Sequence, residues 1–235
     1  MEISGAVALV TGANRGIGRR FAAQLLDRGA AKVYATARRP ETIDLPGVEV
    51  LRLDITDETS VAAAALAARD VTILINNAGI ATGTDLLTGD PAAIRLEMDT
   101  HFYGTLSMAR AFAPILGANG GGAMLNVLSA LSWFSYRGAN AYSAAKAAEW
   151  ALTNGIRLEL ADQGTLVTGL HLGAADTDIM AGYEGAMVDP AEVARIALDG
   201  IEAGQIEVLV DDWSRFVKRS LADDPAAFYD SPLPI

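Results

Sequence analysis

A tyrosine and a lysine four residues apart are the strongest chemical signal in this sequence. Tyr142 and Lys146 lie in the segment AYSAAKAAEW, residues 141–150, which we interpret as part of a helix. Residues four apart share one face of a helix, so the ammonium group should lie close to the phenol. A free phenol has a pKa of about 10, and a nearby cation favours its ionised form. The pair could therefore exchange a proton, but a tyrosine and a lysine that merely share a helix surface have the same spacing.

A glycine-rich turn near the start of the chain indicates nucleotide binding. The sequence from Thr11 to Gly18 reads TGANRGIG and directly follows the apolar run Ala6–Val10. Glycines at 12, 16 and 18 would let a pyrophosphate approach the backbone, and the free amides of the next helix would face the anion. Glycine turns also occur as simple connections. The position of this one, after a buried strand at the start of a strand–helix–strand unit, favours a dinucleotide site.

Apolar runs and helical patterns alternate along the chain, as a parallel sheet with helices on both faces requires. The expected strands are Ala6–Val10, Lys32–Ala37, Val48–Leu53, Val71–Ile75, Ala123–Leu128, Thr165–Leu172 and Ile206–Val210. The expected helices are Gly16–Arg28, Thr59–Ala68, Asp90–Leu116, a segment from about 140 to 161, Asp189–Ala203 and Trp213–Leu221. No linker or repeat divides the chain. We therefore predict one doubly wound α/β domain of the Rossmann type over residues 1–235, with a mostly parallel seven-stranded sheet. The tail, DDPAAFYDSPLPI, should be a surface extension or a packing arm.

Composition excludes several classes of function. The 235 residues include no cysteine and only two histidines, and the formal net charge is -11. This charge would repel nucleic acid, and the scarcity of thiolate and imidazole ligands makes a metal site improbable. No apolar run approaches the roughly 20 residues of a membrane span, and the start, MEISGAVALV, lacks the basic segment of a secretory signal. We expect a cytoplasmic protein that binds no nucleic acid, membrane or metal.

Taken together, the motifs resemble the short-chain dehydrogenase/reductase family. The matching features occur in the family's order: the TGxxxGxG turn, Asn76-Asn77-Ala78-Gly79 after the fourth strand, Ser129, Tyr142-x-x-x-Lys146, and the segment Gly173–Thr177. They cover nearly the whole chain. The resemblance implies an oxidoreductase that moves a hydride between a nicotinamide cofactor and a carbonyl or alcohol substrate. It also implies assembly into a homodimer or homotetramer.

The resemblance assigns roles to a small set of side chains. Tyr142 would give a proton to the substrate carbonyl or take one back, Lys146 would bind the nicotinamide ribose and lower the phenol pKa, and Ser129 would bind the substrate oxygen. The family often has an asparagine in the long fourth helix, where this chain has His101. His101 could relay protons in altered form, or it could simply pack in the helix. A cofactor-sensing protein whose proton relay has decayed at His101 is the alternative function.

The second strand favours NADP(H) over NAD(H). Ala37 stands where enzymes that prefer NAD usually have an acid, Arg38 follows it, and Arg15 precedes Gly16. A guanidinium matches the oxygens of a 2′-phosphate, although Arg38 and its neighbour Arg39 could instead be ordinary solvated charges. By resemblance, Asp54 contacts adenine, residues 77–79 line its ribose, and Gly173 and Thr177 contact the carboxamide, although Leu172 replaces the usual proline. The full expected set is Gly12, Asn14, Arg15, Gly16, Ile17, Gly18, Arg38, Asp54, Ile55, Asn77, Ala78, Gly79, Tyr142, Lys146, Gly173 and Thr177.

Evidence on the substrate comes from two segments rich in large apolar side chains, one after Ser129 and one after Thr177. They contain Trp133, Phe134 and Tyr136, and Met180, Tyr183 and Met187. Both could wall a pocket for a small hydrophobic ketone or aldehyde, under a lid hinged at Gly182 and Gly185. The aromatic loop could instead pack on the tail or on a neighbouring subunit. His171, in the sixth strand, is expected to be a core residue rather than a ligand.

Overall fold

Seven parallel strands form one sheet in the computed structural model, which describes residues 1–230. The strands are β1 Val7–Val10, β2 Lys32–Ala37, β3 Glu49–Arg52, β4 Ile73–Asn76, β5 Ala123–Val127, β6 Leu166–His171 and β7 Glu207–Leu209. Their order across the sheet is β3-β2-β1-β4-β5-β6-β7, and all neighbouring pairs are parallel. The order reverses between β1 and β4. Loops after these two strands therefore diverge and leave a crevice at their carboxyl ends, where ligands bind in open α/β sheets.

Helices cover both faces of this sheet. They are α1 Gly16–Asp27, α2 Glu58–Ala67, α3 Pro91–Met98, α4 Thr105–Ala118, α5 Asn140–Glu159, α6 Pro190–Glu202, α7 Asp212–Ser220 and α8 Pro225–Asp230. On one face, Phe21 of α1 and Leu198 of α6 pack on the strands, and on the other, Phe112 of α4 and Ile156 of α5 do so. The central strands β1, β4 and β5 are apolar except for Asn76 and Asn126, which are hydrogen-bonded to each other, because both faces of these strands are buried. The predicted doubly wound Rossmann fold is confirmed, and the sheet is parallel throughout.

The predicted helix from Asp90 to Leu116 is wrong in one respect. It starts as expected, because the carboxylate of Asp90 accepts a hydrogen bond from the Ala92 amide and caps α3. The regular helix then stops at Met98, and a π-helical segment, Asp99–Gly104, precedes α4. An apolar pattern does not reveal one wider turn, since the periodicity on both sides stays helical. This segment carries His101 to the inside of the molecule, where the side chain is 1% exposed.

The tail is partly regular. Residues 225–230 form α8, which was not predicted, and the ring of Phe228 lies 5.6 Å from that of Phe134 and 6.4 Å from that of Trp213. The tail was expected to be either a surface extension or a packing arm, and residues 225–230 are a packing arm. Its last five residues, 231–235, lie outside the described residues. None of the helices within residues 1–230 has both the length and the apolar character needed to cross a membrane.

Candidate active site

A cleft of about 470 Å³ lies at the carboxyl ends of the central strands. Nearly all of the residues predicted from the sequence line it. They are Gly12, Asn14, Arg15, Gly16, Ile17, Arg38, Asp54, Ile55, Asn77, Ala78, Gly79, His101, Ser129, Tyr142, Lys146, Gly173 and Thr177. Among the predicted catalytic and cofactor-binding residues, Gly18 is the exception.

The glycine loop after β1 has the shape that a pyrophosphate needs. Gly12 and Gly16 have φ angles of 66° and 54°, in the left-handed region that favours glycine. A Cβ on Gly12 would lie 3.0 Å from the Cα of Ala78, so the loop closes tightly over the end of β4. Helix α1 begins after Arg15 without a side-chain cap, and its first amides have no side-chain acceptor. A helix end of this kind binds phosphate groups well, and the loop therefore fits a dinucleotide.

Gly18 serves a different purpose from the one predicted. It is buried in the first turn of α1, where a Cβ would lie 2.2 Å from the carbonyl oxygen of Gly12 and 2.5 Å from Nδ2 of Asn77. Contacts within the protein therefore require a residue without a side chain at this position. Gly18 lets α1 pack directly on the loops that follow β1 and β4.

Thr11 connects these two loops, a role that its place at the head of the glycine motif did not reveal. Its hydroxyl oxygen accepts hydrogen bonds from the amides of Asn77 and Ala78, both at 2.9 Å. In return, Nδ2 of Asn77 donates to the carbonyl oxygen of Thr11 at 2.9 Å. The glycine loop and the end of β4 are thus held as one rigid wall of the cleft.

Arginines surround the end of the cleft next to β2. Arg38 and Arg39 are both exposed, and among residues 1–230 neither side chain has an ion pair or hydrogen-bond partner. Arg15 is occupied, because its Nη1 lies 2.7 Å from Oδ2 of Asp178, with the two side chains 65% and 69% exposed. Neither Arg39 nor Asp178 was assigned to the cofactor site from the sequence. A cluster of cations without a carboxylate at the end of β2 can bind a phosphate group.

The opposite end of the cleft holds the tyrosine and lysine pair. Nζ of Lys146 lies 5.8 Å from the centroid of the Tyr142 ring. Burial raises the pKa of Tyr142, while Lys146 and a hydrogen bond with Ser129 lower it, and the net shift is upward. The lysine therefore acts in the expected direction but does not outweigh burial. Burial lowers the pKa of Lys146 itself, but Glu149 and Tyr142 raise it more, so the ammonium stays charged.

Two buried glutamates behind this pair were missed from the sequence. Glu149 accepts a hydrogen bond from Nζ of Lys146 at 2.7 Å, and Glu97 lies 3.2 Å from Nε2 of His101. The ring of His101 meets that of Tyr142 edge-on, with centroids 5.2 Å apart. The signal was present in the spacing, since Glu149 follows Lys146 by three positions and Glu97 precedes His101 by four. Charged residues at such spacings are usually exposed to solvent, so the sequence did not indicate that these two glutamates are buried.

A neutral histidine holds the backbone of Ser129. Nδ1 of His171 lies 3.0 Å from the carbonyl oxygen of Ser129, and the ring stacks on Trp133 at 3.8 Å. Burial lowers the pKa of His171 to about 4, so the ring is neutral near pH 7 and Nδ1 donates the hydrogen. His171 thus lies in the core, as expected. The Ser129 hydroxyl accepts from the amide of Leu131 at 3.1 Å and keeps its own hydrogen for other partners.

The aromatic loop does not line the cleft, contrary to the first of the two expectations. Phe134 and Tyr136 instead pack in a cluster with Trp213 and Phe228, which matches the alternative that the loop packs on the tail. From the second segment, Met180 lines the cleft, whereas Tyr183 and Met187 do not. Packing against α7 and α8 removes these aromatic rings from water, whereas the edge of an open cleft would leave them more exposed.

Comparison with known proteins agrees with this architecture. A family model described as short chain dehydrogenase matches residues 6–186. A curated relative, the NADPH-dependent 1-acyldihydroxyacetone phosphate reductase of Schizosaccharomyces pombe, is 35% identical over 192 residues, which cover 78% of this chain and 64% of the relative. The chain thus spans somewhat less than two thirds of that relative's length.

Two solved structures are close in fold. A short chain dehydrogenase from Burkholderia cenocepacia in complex with NADP has a TM-score of 0.94 and 39% identity, covering 99% of this chain and 100% of that chain. A 3-ketoacyl-(acyl-carrier-protein) reductase from Brucella melitensis complexed with NADH has a TM-score of 0.83 and 26% identity, covering 89% and 98%. Because the family model matches residues 6–186, which is most of the sequence, the chain belongs to the short-chain dehydrogenase family of oxidoreductases.

Proposed function

We propose that this oxidoreductase reduces a ketone or aldehyde with NADPH and oxidises the corresponding alcohol in reverse. The observation that carries the proposal is the convergence of Ser129, Tyr142 and Lys146 on the cleft that the glycine loop opens into. NADPH, when bound, supplies the hydride, which goes to the carbonyl carbon. Tyr142 supplies the proton to the carbonyl oxygen through its Oη–H bond, and Ser129 donates a hydrogen bond to that oxygen as its charge develops. Lys146 keeps its positive charge beside the phenolate that remains.

Preference for NADP(H) is part of the proposal. Arg38 and Arg39 are unpaired in the described part of the chain, and the end of β2 carries no carboxylate to bind a ribose 2′-hydroxyl. The NADP named for one structural relative and the NADPH named for one curated relative support it, whereas another structural relative is complexed with NADH. We expect a lower KM for NADPH than for NADH in the protein, and loss of most of that difference in Arg38→Ala. Arg69→Ala, an exposed arginine outside the cleft, is the control and should keep the difference.

The side chains at the reactive end support a small hydrophobic substrate. Ile80, Ile179 and Met180 line the cleft and are apolar. Exposed apolar side chains on the helices, such as Tyr103 at 56% and Leu158 at 80%, support a homodimer or homotetramer. We place the enzyme in the cytoplasm as one NADP-binding domain over residues 1–235. Sedimentation at several protein concentrations tests the assembly, and a monomer at all of them would contradict it.

Replacement of Tyr142 by phenylalanine tests the chemistry. Oxidation of NADPH is followed with a panel of carbonyl compounds such as cyclohexanone, acetophenone and benzaldehyde. Tyr142→Phe should lower kcat by roughly a hundredfold or more, because the proton donor is lost, while NADPH binding stays nearly unchanged. Tyr103→Phe removes an exposed phenol and serves as the control. A Tyr142→Phe enzyme with most of its activity would refute the assignment, and a wild-type protein that binds NADPH but reduces no carbonyl would favour a cofactor-sensing role.

A further inference from the structure

Four ionisable side chains are buried together behind Tyr142. Glu97, His101, Lys146 and Glu149 have exposures of 0%, 1%, 5% and 2%. Burial of charged groups is costly unless each finds a partner, so a cluster of this size must be paired internally. Three separate elements supply it, namely α3, the π-helical segment and α5. The cluster lies directly against the proposed proton donor.

The ammonium of Lys146 is fixed in orientation by its partners. It has three hydrogens. One goes to the carbonyl oxygen of Val127 and one to Oε2 of Glu149, both at 2.7 Å. The third is left for the cleft, which Lys146 lines together with Tyr142. Glu149 therefore determines where the remaining N–H bond points, and it balances the charge of the ammonium.

Glu149 is itself held from behind. Its Oε1 accepts a hydrogen bond from the hydroxyl of Thr105 at 2.7 Å, and its Oε2 lies 3.9 Å from Nδ1 of His101. Nε2 of His101 faces two acceptors, the carbonyl oxygen of Ile80 at 3.0 Å and Oε2 of Glu97 at 3.2 Å, and must carry a hydrogen. These contacts orient the ring of His101, while the hydrogen bond from Thr105 holds the carboxylate that faces Lys146.

Glu97 closes the cluster. Its Oε1 accepts from the amide of Thr82 at 2.6 Å. Burial acts to raise the pKa of Glu97, but hydrogen bonds with His101 and Thr82 outweigh it and lower the pKa, so the group stays a carboxylate. The chain of contacts thus runs from Thr82 through Glu97, His101 and Glu149 to the ammonium of Lys146.

We infer that Glu149 is a positioning residue for proton transfer, which holds the Lys146 ammonium and, together with Glu97, offsets its charge, while Thr105 holds the Glu149 carboxylate in place. The inference rests on the proposed function, since it concerns the proton that Tyr142 exchanges. It leaves His101 to pack between the two glutamates rather than to hold Glu149 by a hydrogen bond. Burial is the main reason that the pKa of Tyr142 is raised despite the nearby lysine, and the charge of Glu149 acts in the same direction.

The inference predicts a definite electrostatic change. Lys146, Glu149, Glu97 and His101 are the charged or titratable groups in contact with or next to Tyr142, and Ser129 is its hydrogen-bond partner. Both glutamates raise the pKa of Tyr142. Replacement of Glu149 by the isosteric glutamine removes one negative charge and leaves the ammonium without its counter-charge. Because Lys146 keeps its charge and one negative charge is removed, the ionisation of the Tyr142 phenol should move to lower pH.

The test is an ultraviolet titration of the phenolate in the cofactor-free protein. For the wild type the spectrum of Tyr142→Phe is subtracted, and for Glu149→Gln the spectrum of the double variant Glu149→Gln, Tyr142→Phe is subtracted. Each difference spectrum reports the ionisation of Tyr142 alone. At a single alkaline pH where circular dichroism shows all proteins folded, Glu149→Gln should raise the ratio of phenolate to phenol about tenfold, as a shift of one pH unit requires. An unchanged or lower ratio would overturn the inference.

Control variants separate this effect from a loss of packing. Thr153→Val changes a buried hydroxyl on the same helix, which donates to the carbonyl oxygen of Glu149, but removes no charge. Its phenolate ratio should stay within about twofold of the wild type. If Glu149→Gln does not fold, Glu97→Gln should raise the ratio by a smaller factor, and no rise would overturn the inference. Because the titration needs no turnover, its result is independent of whether the carbonyl reduction proposed above is found.

Discussion

His171 makes the stability of this protein depend on pH in a way that can be calculated. Its pKa falls from 6.5 in an unfolded chain to about 4 in the folded protein, because burial disfavours the charged ring. The unfolded state therefore binds more protons between these two values. The stabilisation is fully present above about pH 6.5 and is lost as the pH falls toward 4. The full difference corresponds to about 3 kcal/mol, and at about pH 5 roughly 2 kcal/mol of it is already lost.

Urea unfolding of the wild type and of His171→Phe, near neutral pH and at about pH 5, measures this loss. The phenylalanine keeps an aromatic ring against Trp133 but removes both the titration and the hydrogen bond to Ser129. The variant should be less stable near neutral pH, yet it should lose about 2 kcal/mol less than the wild type on acidification. His101, the other histidine, is present in both proteins, so its contribution cancels.

A second variant tests whether burial of the imidazole is the cause. Trp133→Phe weakens the stacking contact but keeps His171. On acidification this variant should still lose most of the free energy of unfolding that the wild type loses. The reasoning is refuted if His171→Phe loses as much stability between the two pH values as the wild type does. That outcome would mean that His171 takes up a proton at about pH 5 as readily in the folded protein as in the unfolded chain.

Two further predictions concern the glycine loop. Gly18→Ala should lower the free energy of unfolding by about 1–3 kcal/mol, because its Cβ would meet the backbone oxygen of Gly12, whereas Gly155→Ala, at an open position in α5, should raise it by about 0.5–1 kcal/mol. Urea unfolding compares the two, and equal effects would contradict the packing role of Gly18. Asp178→Asn should tighten NADPH binding about twofold to fivefold by releasing the exposed Arg15, with little change for NADH. Fluorescence titration of both nucleotides checks this, and an equal gain for NADH would disprove it.

Local patterns were sufficient to predict the frame of the molecule. Strand and helix alternate because the apolar runs of the central strands must be covered by helices on both faces. This alternation can be seen directly in the sequence. The same holds for the glycine turn from Gly12 to Gly16 and for the shared helix face of Tyr142 and Lys146. In each case the interacting groups are neighbours in the chain, so their spacing alone fixes their geometry.

Contacts between distant segments were beyond the reach of these patterns. Nothing around Trp133 and Phe134 indicated whether they would face the cleft or the tail, because an aromatic ring gains similar free energy from either kind of burial. The role of Gly18 depends on how closely α1 approaches the loop after β4, which is a property of packing.

The buried charges show most clearly which features follow from the sequence and which depend on the tertiary structure. The sequence by itself determined that a cation would lie one helical turn from the phenol of Tyr142. Only the tertiary structure decided how that cation acts, since Glu149 neutralises it and the π-helical segment places His101 between Glu97 and Glu149. The physical reason is that a charge is strengthened or cancelled by whatever surrounds it in three dimensions, and burial depends on elements that are far apart in the chain.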